Sequence, residues 1–220
     1  MRFTQAFRLG LLTAAICLTT LAQTTPPKEA QSDTRGMPPR ASAADYQAHA
    51  QAGAITIAAE FRGHSIPEME GSTLTTEEYV VVEVGVFGPE GTRAKLSAND
   101  FSLRINKKKS ALESQPFGLV MSSVKDPEWE PPKSAAKSKT SMGGGGEGES
   151  KEPPAPVKVP LPVQRAMAQR VQKAALPEGD RTLPQAGLIF FQHRGKVQNI
   201  QSLELIYEGS GGKATLNLQP

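Results

Sequence analysis

Short apolar runs cut by turn residues recur between Ala54 and Leu119 and again between Ala186 and Leu218, the pattern of hairpin-linked strands. Ile55, Ile57, Ala59 and Phe61 alternate on one face of a first strand. The strongest strand is Tyr79 to Phe87 (YVVVEVGVF), where Val80, Val82, Val84 and Val86 share a core face and Glu83 and Gly85 lie on the other. Gly88-Pro89-Glu90-Gly91 supplies a turn, since Pro89 lacks a ladder donor and glycine accepts positive φ. A connection from Leu96 to Asp100 leads into Phe101-Ser102-Leu103-Arg104-Ile105. After a turn at Asn106 to Lys109, a weaker strand is expected near Ala111 to Glu113, with this half closing near Leu119 to Val124. The last quarter of the chain predicts Gly187 to Gln192, Ile200 to Tyr207 and Ala214 to Leu218, the final two joined by a Gly-rich loop at Gly209 to Gly212 as an antiparallel pair.

The remaining segments follow other rules. Residues 1–22 place Arg2 and Arg8 before a short apolar run that ends at Leu21-Ala22, which predicts a cleaved export signal. The run is too short and too rich in Thr for a spanning helix, and no later stretch reaches that length. Cys17 follows Ile16 and lies inside the run, which argues against lipidation and leaves a mature chain with no cysteine. From Gln23 to about Arg40 there is too little apolar surface to offset the entropy of ordering, and Ser42 to Ala52 is expected to form a short helix stopped by Gly53. From Lys125 to about Pro162 the chain is rich in Pro, Gly, Lys and Glu, a structureless insertion whose closure cost grows only logarithmically with length. It runs into a helix at 163–176 on which Val163, Met167, Val171 and Ala174 share a face. That helix either packs across an open end of the strands or docks a partner through Val163, Met167 and Val171.

The expected organisation is an export signal at 1–22, a flexible N-terminal segment at 23–52, strands at 53–124, a disordered insertion at 125–162, the helix at 163–176 and closing strands at 177–220. The expected fold class is all-β, an Ig-like two-layer antiparallel β-sandwich with that insertion and one short amphipathic helix. With 20 Gly and 18 Pro among 220 residues and 5% aromatics, the core is modest, about 120 to 130 ordered residues. Without Arg2 and Arg8 the 25 Lys and Arg become 23 against 22 Asp and Glu, a net charge of +1 that does not point to nucleic acid.

The stretch YVVVEVGVFGPEGTRAKLSANDFSLRIN resembles an exported bacterial Ig-like (telokin-like) β-sandwich domain family of unknown function, in which a long valine strand, a polar turn and an Asp-Phe pair opening the next strand follow one another. Asp100-Phe101-Ser102-Leu103 matches that pair, and GLIFF and the IQSLELIY to ATLNL hairpin are similar to the family's closing strands. The likeness covers 54–119 and 186–218. It implies the fold and assigns no activity.

Candidate chemistry is sparse. The three histidines, His49, His64 and His193, are scattered along the chain. His64 with Glu68, Met69 and Glu70 is the one suggestive metal cluster, and Pro67 makes it an irregular loop. Ser210 lacks the Gly two places before it that a nucleophile elbow requires, and neither Gly run ends in Gly-Lys-Ser/Thr. Lys107, Lys108 and Lys109 beside Arg104 read as a solvated turn that protects a sheet edge. No catalytic, cofactor-binding or metal residue is assigned. The expectation is an exported, periplasmic or extracellular, non-enzymatic module that binds an envelope protein; the alternative is a periplasmic carrier of a small ligand or metal.

Overall fold

A computed structural model of the chain describes residues 35–67, 73–129 and 159–220. The predicted export signal, residues 23–34, Glu68, Met69 and Glu70, and the insertion from 130 to 158 lie outside the described residues.

Strands β1 (Ala48–Ala52), β2 (Ile55–Gly63), β3 (Ser65–Ile66), β4 (Leu74–Thr76), β5 (Tyr79–Phe87), β6 (Arg93–Leu96), β7 (Phe101–Ile105) and β8 (Leu112–Gln115) precede a short helix, α1 (Phe117–Val120). Strand β9 (Val124–Lys125), helix α2 (Leu161–Ala174), and strands β10 (Gly179–Thr182), β11 (Gln185–Gln192), β12 (Leu203–Gly209) and β13 (Gly212–Leu218) follow. The protein is mostly β, in antiparallel sheets. Eight strands form the principal sheet in the order β1-β2-β5-β11-β8-β7-β12-β13, with small sheets β10-β6 and β3-β4-β9 beside it.

Strand β8 belongs to two neighbourhoods. Leu112 and Glu113 pair with β7, whereas Ser114 and Gln115 pair with β11, so one short strand carries the sheet from one half to the other. The two edge strands also meet. The Gln47 side chain donates to the Gln219 carbonyl (3.0 Å), and a Cβ on Gly212, whose φ is +129°, would lie 3.2 Å from the carbonyl carbon of Ala52.

The interior follows the predicted alternation. Val80, Val82, Val84 and Val86 meet Ile57, Phe101, Leu103, Phe191, Leu205 and Leu216 in one buried cluster. The opposite face of β5 and β11 is covered as well. Val81, Leu188 and Phe190 lie under Ile66, Leu74, Val120, Met167 and Val171, a second cluster built by α1, α2 and the β3-β4 hairpin. At Gly187 the backbones of β11 and the segment after α2 come so close that a Cβ would lie 2.6 Å from the Leu176 nitrogen. That approach lets the Leu176 N–H donate to the Leu188 carbonyl (3.0 Å).

Two expectations are corrected here. Residues 42–52 form a 3-10 turn at Ala43–Asp45 followed by β1. Ala48, Ala50 and Ala52 point toward the core while His49 and Gln51 are exposed, and pairing with β2 in the register Ala48↔Ala59 satisfies the backbone as a helix would, with more burial. The segment from 35 onward is therefore part of the fold rather than a tether. Gly36 N–H donates to the Lys173 carbonyl and Met37 N–H to the Ala186 carbonyl, both at 2.8 Å, which straps the chain across β11 and the end of α2.

A candidate docking pocket and two charged clusters

Helix α2 starts where Pro160 and Pro162 permit it, since proline is tolerated in a first turn that lacks intrahelical acceptors for its N–H groups. The Gln164 N–H donates to the Pro160 carbonyl (3.0 Å) and its side chain to the Val159 carbonyl (2.9 Å). The helix spans 161–174 against the predicted 163–176, and its apolar stripe turns inward. Met167 is 6% exposed and Val171 0%, both packed in the cluster with Leu188 and Phe190, while Val163 is half-buried at its margin. The stripe that sequence reasoning offered to a partner is thus filled by the protein's own sheet, because β5 and β11 present apolar side chains on both faces.

A cavity of about 230 Å³ opens beside this stripe, lined by Val124, Lys125, Asp126, Trp129, Val159 and Met167. Its walls are fixed by local bonds. The Ser123 hydroxyl donates to the Val120 carbonyl (2.9 Å), so the 2.7 Å contact with Thr76 is a hydrogen bond given by the Thr76 hydroxyl, tying the turn before β9 to β4. The Asp126 carboxylate accepts from the Glu128 N–H (2.9 Å) and its carbonyl from the Trp129 N–H (3.2 Å), a turn that holds the indole at the cavity wall. Leu119 on α1 and Leu161 on α2, two helices in contact, are 54% and 56% exposed, the large apolar side chains most open to solvent among the described residues.

A charged cluster lies on the outer face of β5. Glu83 is only 3% exposed, and its carboxylate accepts from Arg40 Nε (3.3 Å) and Arg62 Nε (3.0 Å), while Glu60 pairs with both arginines. The Arg40 guanidinium also stacks on the Tyr46 ring at 4.3 Å and donates to the Asp45 carbonyl. Burial opposes the charge on Arg40, but its bonds to Glu83 and Glu60 outweigh that and hold its pKa above the ordinary value. Tyr46 in turn rests on β5 at Gly85, where a Cβ would lie 2.7 Å from its hydroxyl oxygen. Two acids and two bases balance, so the cluster is a clasp for the 35–46 strap rather than an anion or cation trap.

No family model, no curated protein and no solved structure matches this chain.

The structure brings together two of the three histidines. His64 Nδ1 lies 2.7 Å from the Tyr79 carbonyl and Nε2 3.2 Å from the Gly195 carbonyl, tying the β2-β3 junction to the turn after β11. His193 lies in that turn, its N–H donating to the Glu78 carbonyl (2.8 Å), and its buried Nε2 has no hydrogen-bond partner. His49 is exposed on β1, and among the described residues no three His, Cys, Asp or Glu side chains converge as a metal site requires. Lys107 to Lys109 form an exposed turn, and Arg104 pairs with Glu204 across β7 and β12 at 2.7 Å. Also among the described residues, no helix is long and apolar enough to cross a membrane.

Burial, with smaller contributions from His64 and Lys108, holds the His193 pKa below the ordinary 6.5. The unfolded chain therefore takes up this proton at a higher pH than the folded one, and the associated stability, complete above 6.5, is lost as pH falls from there toward the folded value. The urea midpoint is expected to fall between pH 7.5 and 5, and His193→Gln is expected to flatten that fall. An equal slope in the variant would assign the dependence to other groups.

Proposed function

We propose that this chain is an exported, non-enzymatic protein-binding module of the cell envelope. The observation that carries the binding role is the apolar cavity between β9 and α2, with Leu119 and Leu161 exposed on the adjoining helices. An apolar surface left open beside a cavity, on a chain that elsewhere buries both faces of its central strands, is where a partner gains most from burial. At about 230 Å³ the cavity is below the usual 300–1,000 Å³ of small-molecule sites and suits one bulky side chain of a partner better than a free ligand.

Export is supported by the basic, apolar and small-residue order of positions 1–22. The Ig-like, telokin-like sandwich reading is supported by the β8 switch and by the single buried cluster that joins side chains of β2, β5 and β11 to those of β7, β12 and β13.

The test uses exposed positions, because charges at Met167 or Val171 would unfold the second cluster. Envelope extract is passed over the immobilised full chain and over the Leu119→Glu/Leu161→Glu variant, whose folding is checked by its urea midpoint. Specific capture by the wild type that the variant loses is the expected result. Identical recovery by the two proteins would overturn the reading.

A further inference from the structure

We infer that His64 is an acid-closed clasp: its protonated ring ties the turn after β11 to the body of the fold, and its neutral ring releases that turn at Gly195. The argument starts from a count of donors. His64 Nδ1 lies 2.7 Å from the Tyr79 carbonyl oxygen and Nε2 3.2 Å from that of Gly195. Both oxygens can only accept, and a neutral imidazole carries one N–H, so the two bonds exist together only in the imidazolium. The bond given up is the one to Gly195. The Tyr79 carbonyl is the nearer, and Tyr79 pairs with Gln192 inside the principal sheet. A neutral ring with its proton on Nδ1 keeps that bond and turns a bare lone pair on the Gly195 oxygen, which repels it.

The two ends of the clasp differ in freedom. His64 is fixed by the Thr76 N–H, which donates to its carbonyl (3.0 Å). The turn is tied at its ends, by the His193 N–H to the Glu78 carbonyl (2.8 Å) and by the Asn106 side-chain amide to the Asn199 carbonyl (3.0 Å). Between those ties, among the described residues, the backbone from Arg194 to Lys196 has no hydrogen bond to the sheets other than the one from His64. The surrounding charges do not replace it. In the β4-β5 link Glu77 pairs with Lys125 (2.6 Å) and Glu78 with Arg194 (3.3 Å), and on β2 Arg62 is held by Glu60 and Glu83. Lys196 is exposed on the turn itself. Burial first, then the charges of His64 and Lys108, hold the His193 pKa down, so that neighbour brings no competing charge in mild acid.

The test reads the ring and the turn themselves, because a urea midpoint would sum this bond with the opposing effect of His193. Nuclear magnetic resonance of the nitrogen-15-labelled full chain follows the His64 ring nitrogens and the Arg194, Gly195 and Lys196 amides between about pH 5 and about pH 8, on either side of ordinary imidazole titration. At the acid end the His64 Nε2–H is expected to exchange with water about tenfold more slowly than that of exposed His49, the protection a hydrogen bond from a charged donor gives. At the alkaline end only the Nδ1–H should remain. The amides are followed in the His193→Gln protein, where the neighbouring ring no longer titrates, and their signals should move along the same curve as the His64 ring. Adding His64→Gln should hold them at one position. A Nε2–H that exchanges as fast as that of His49, amide signals that stay fixed while the ring titrates, or movement that survives in the double variant would each overturn the inference. Should the double variant not fold, the His193→Gln titration decides alone: ring and turn must share one midpoint, and two separate midpoints overturn the clasp.

Discussion

Replacing Arg40 and Arg62 together by Met is expected to lower the unfolding free energy by about 3 kcal/mol or more, the cost of leaving a buried carboxylate without its partners. Glu83 is 3% exposed and the two guanidinium groups supply its hydrogen bonds, whereas their own side chains are 25% and 31% exposed and lose less on removal. The penalty therefore belongs to Glu83. Adding Glu83→Leu to the double variant should recover most of the loss, since the buried carboxylate is then gone and the acid left unpaired is Glu60, whose side chain is 24% exposed. Urea denaturation of the three proteins measures both steps. If the triple variant is no more stable than the double, the loss comes from the arginines' packing on Tyr46 and the strap, and the clasp argument fails.

The second large effect separates the two cores. Phe190 and Phe191 are adjacent on β11 and point to opposite faces, Phe191 among the interior valines and Phe190 under α2. Each truncation to Ala is expected to cost about 3–5 kcal/mol, because both side chains are almost wholly buried. Their consequences should differ in kind. Phe190→Ala removes packing from Met167 and the cavity wall, so Trp129 emission should shift in the folded protein, while Phe191→Ala should leave that emission at the wild-type wavelength. Equal emission from the two variants would show that the cavity does not depend on the second cluster.

The valine strand, the Asp-Phe strand and the closing hairpin were legible because period-2 alternation is written in neighbouring residues, and Val80, Val82, Val84 and Val86 sit where it places them. The helix after the insertion was legible for the same reason, within two residues at each end. Ser42 to Ala52 was not, because its alanines favour a helix in isolation and only the pairing with β2 makes them a strand. Glu83 was correctly placed opposite the valines, yet its burial depends on the strap at 35–46, some forty residues earlier. The one local hint was Gly85, whose missing side chain leaves room for Tyr46. The cavity was beyond reach of pattern reasoning, since Trp129 and Met167 stand on either side of the insertion. So was the approach of His64 to His193, which depends on two separate turns meeting at Gly195.

The contact between the first and last strands sets the order of events during synthesis. The Gln47 side chain bonds to a carbonyl 172 residues further on, and Met37 waits for Ala186. The strap lacks its backbone partners until residues 173–186 have emerged, and β1, which pairs at once with β2, meets the last strand only after residues 212–219, contacts so distant in sequence that closure is slow. Until β11 has emerged the valine strand β5 lacks one of its two neighbours, which exposes that edge to aggregation meanwhile.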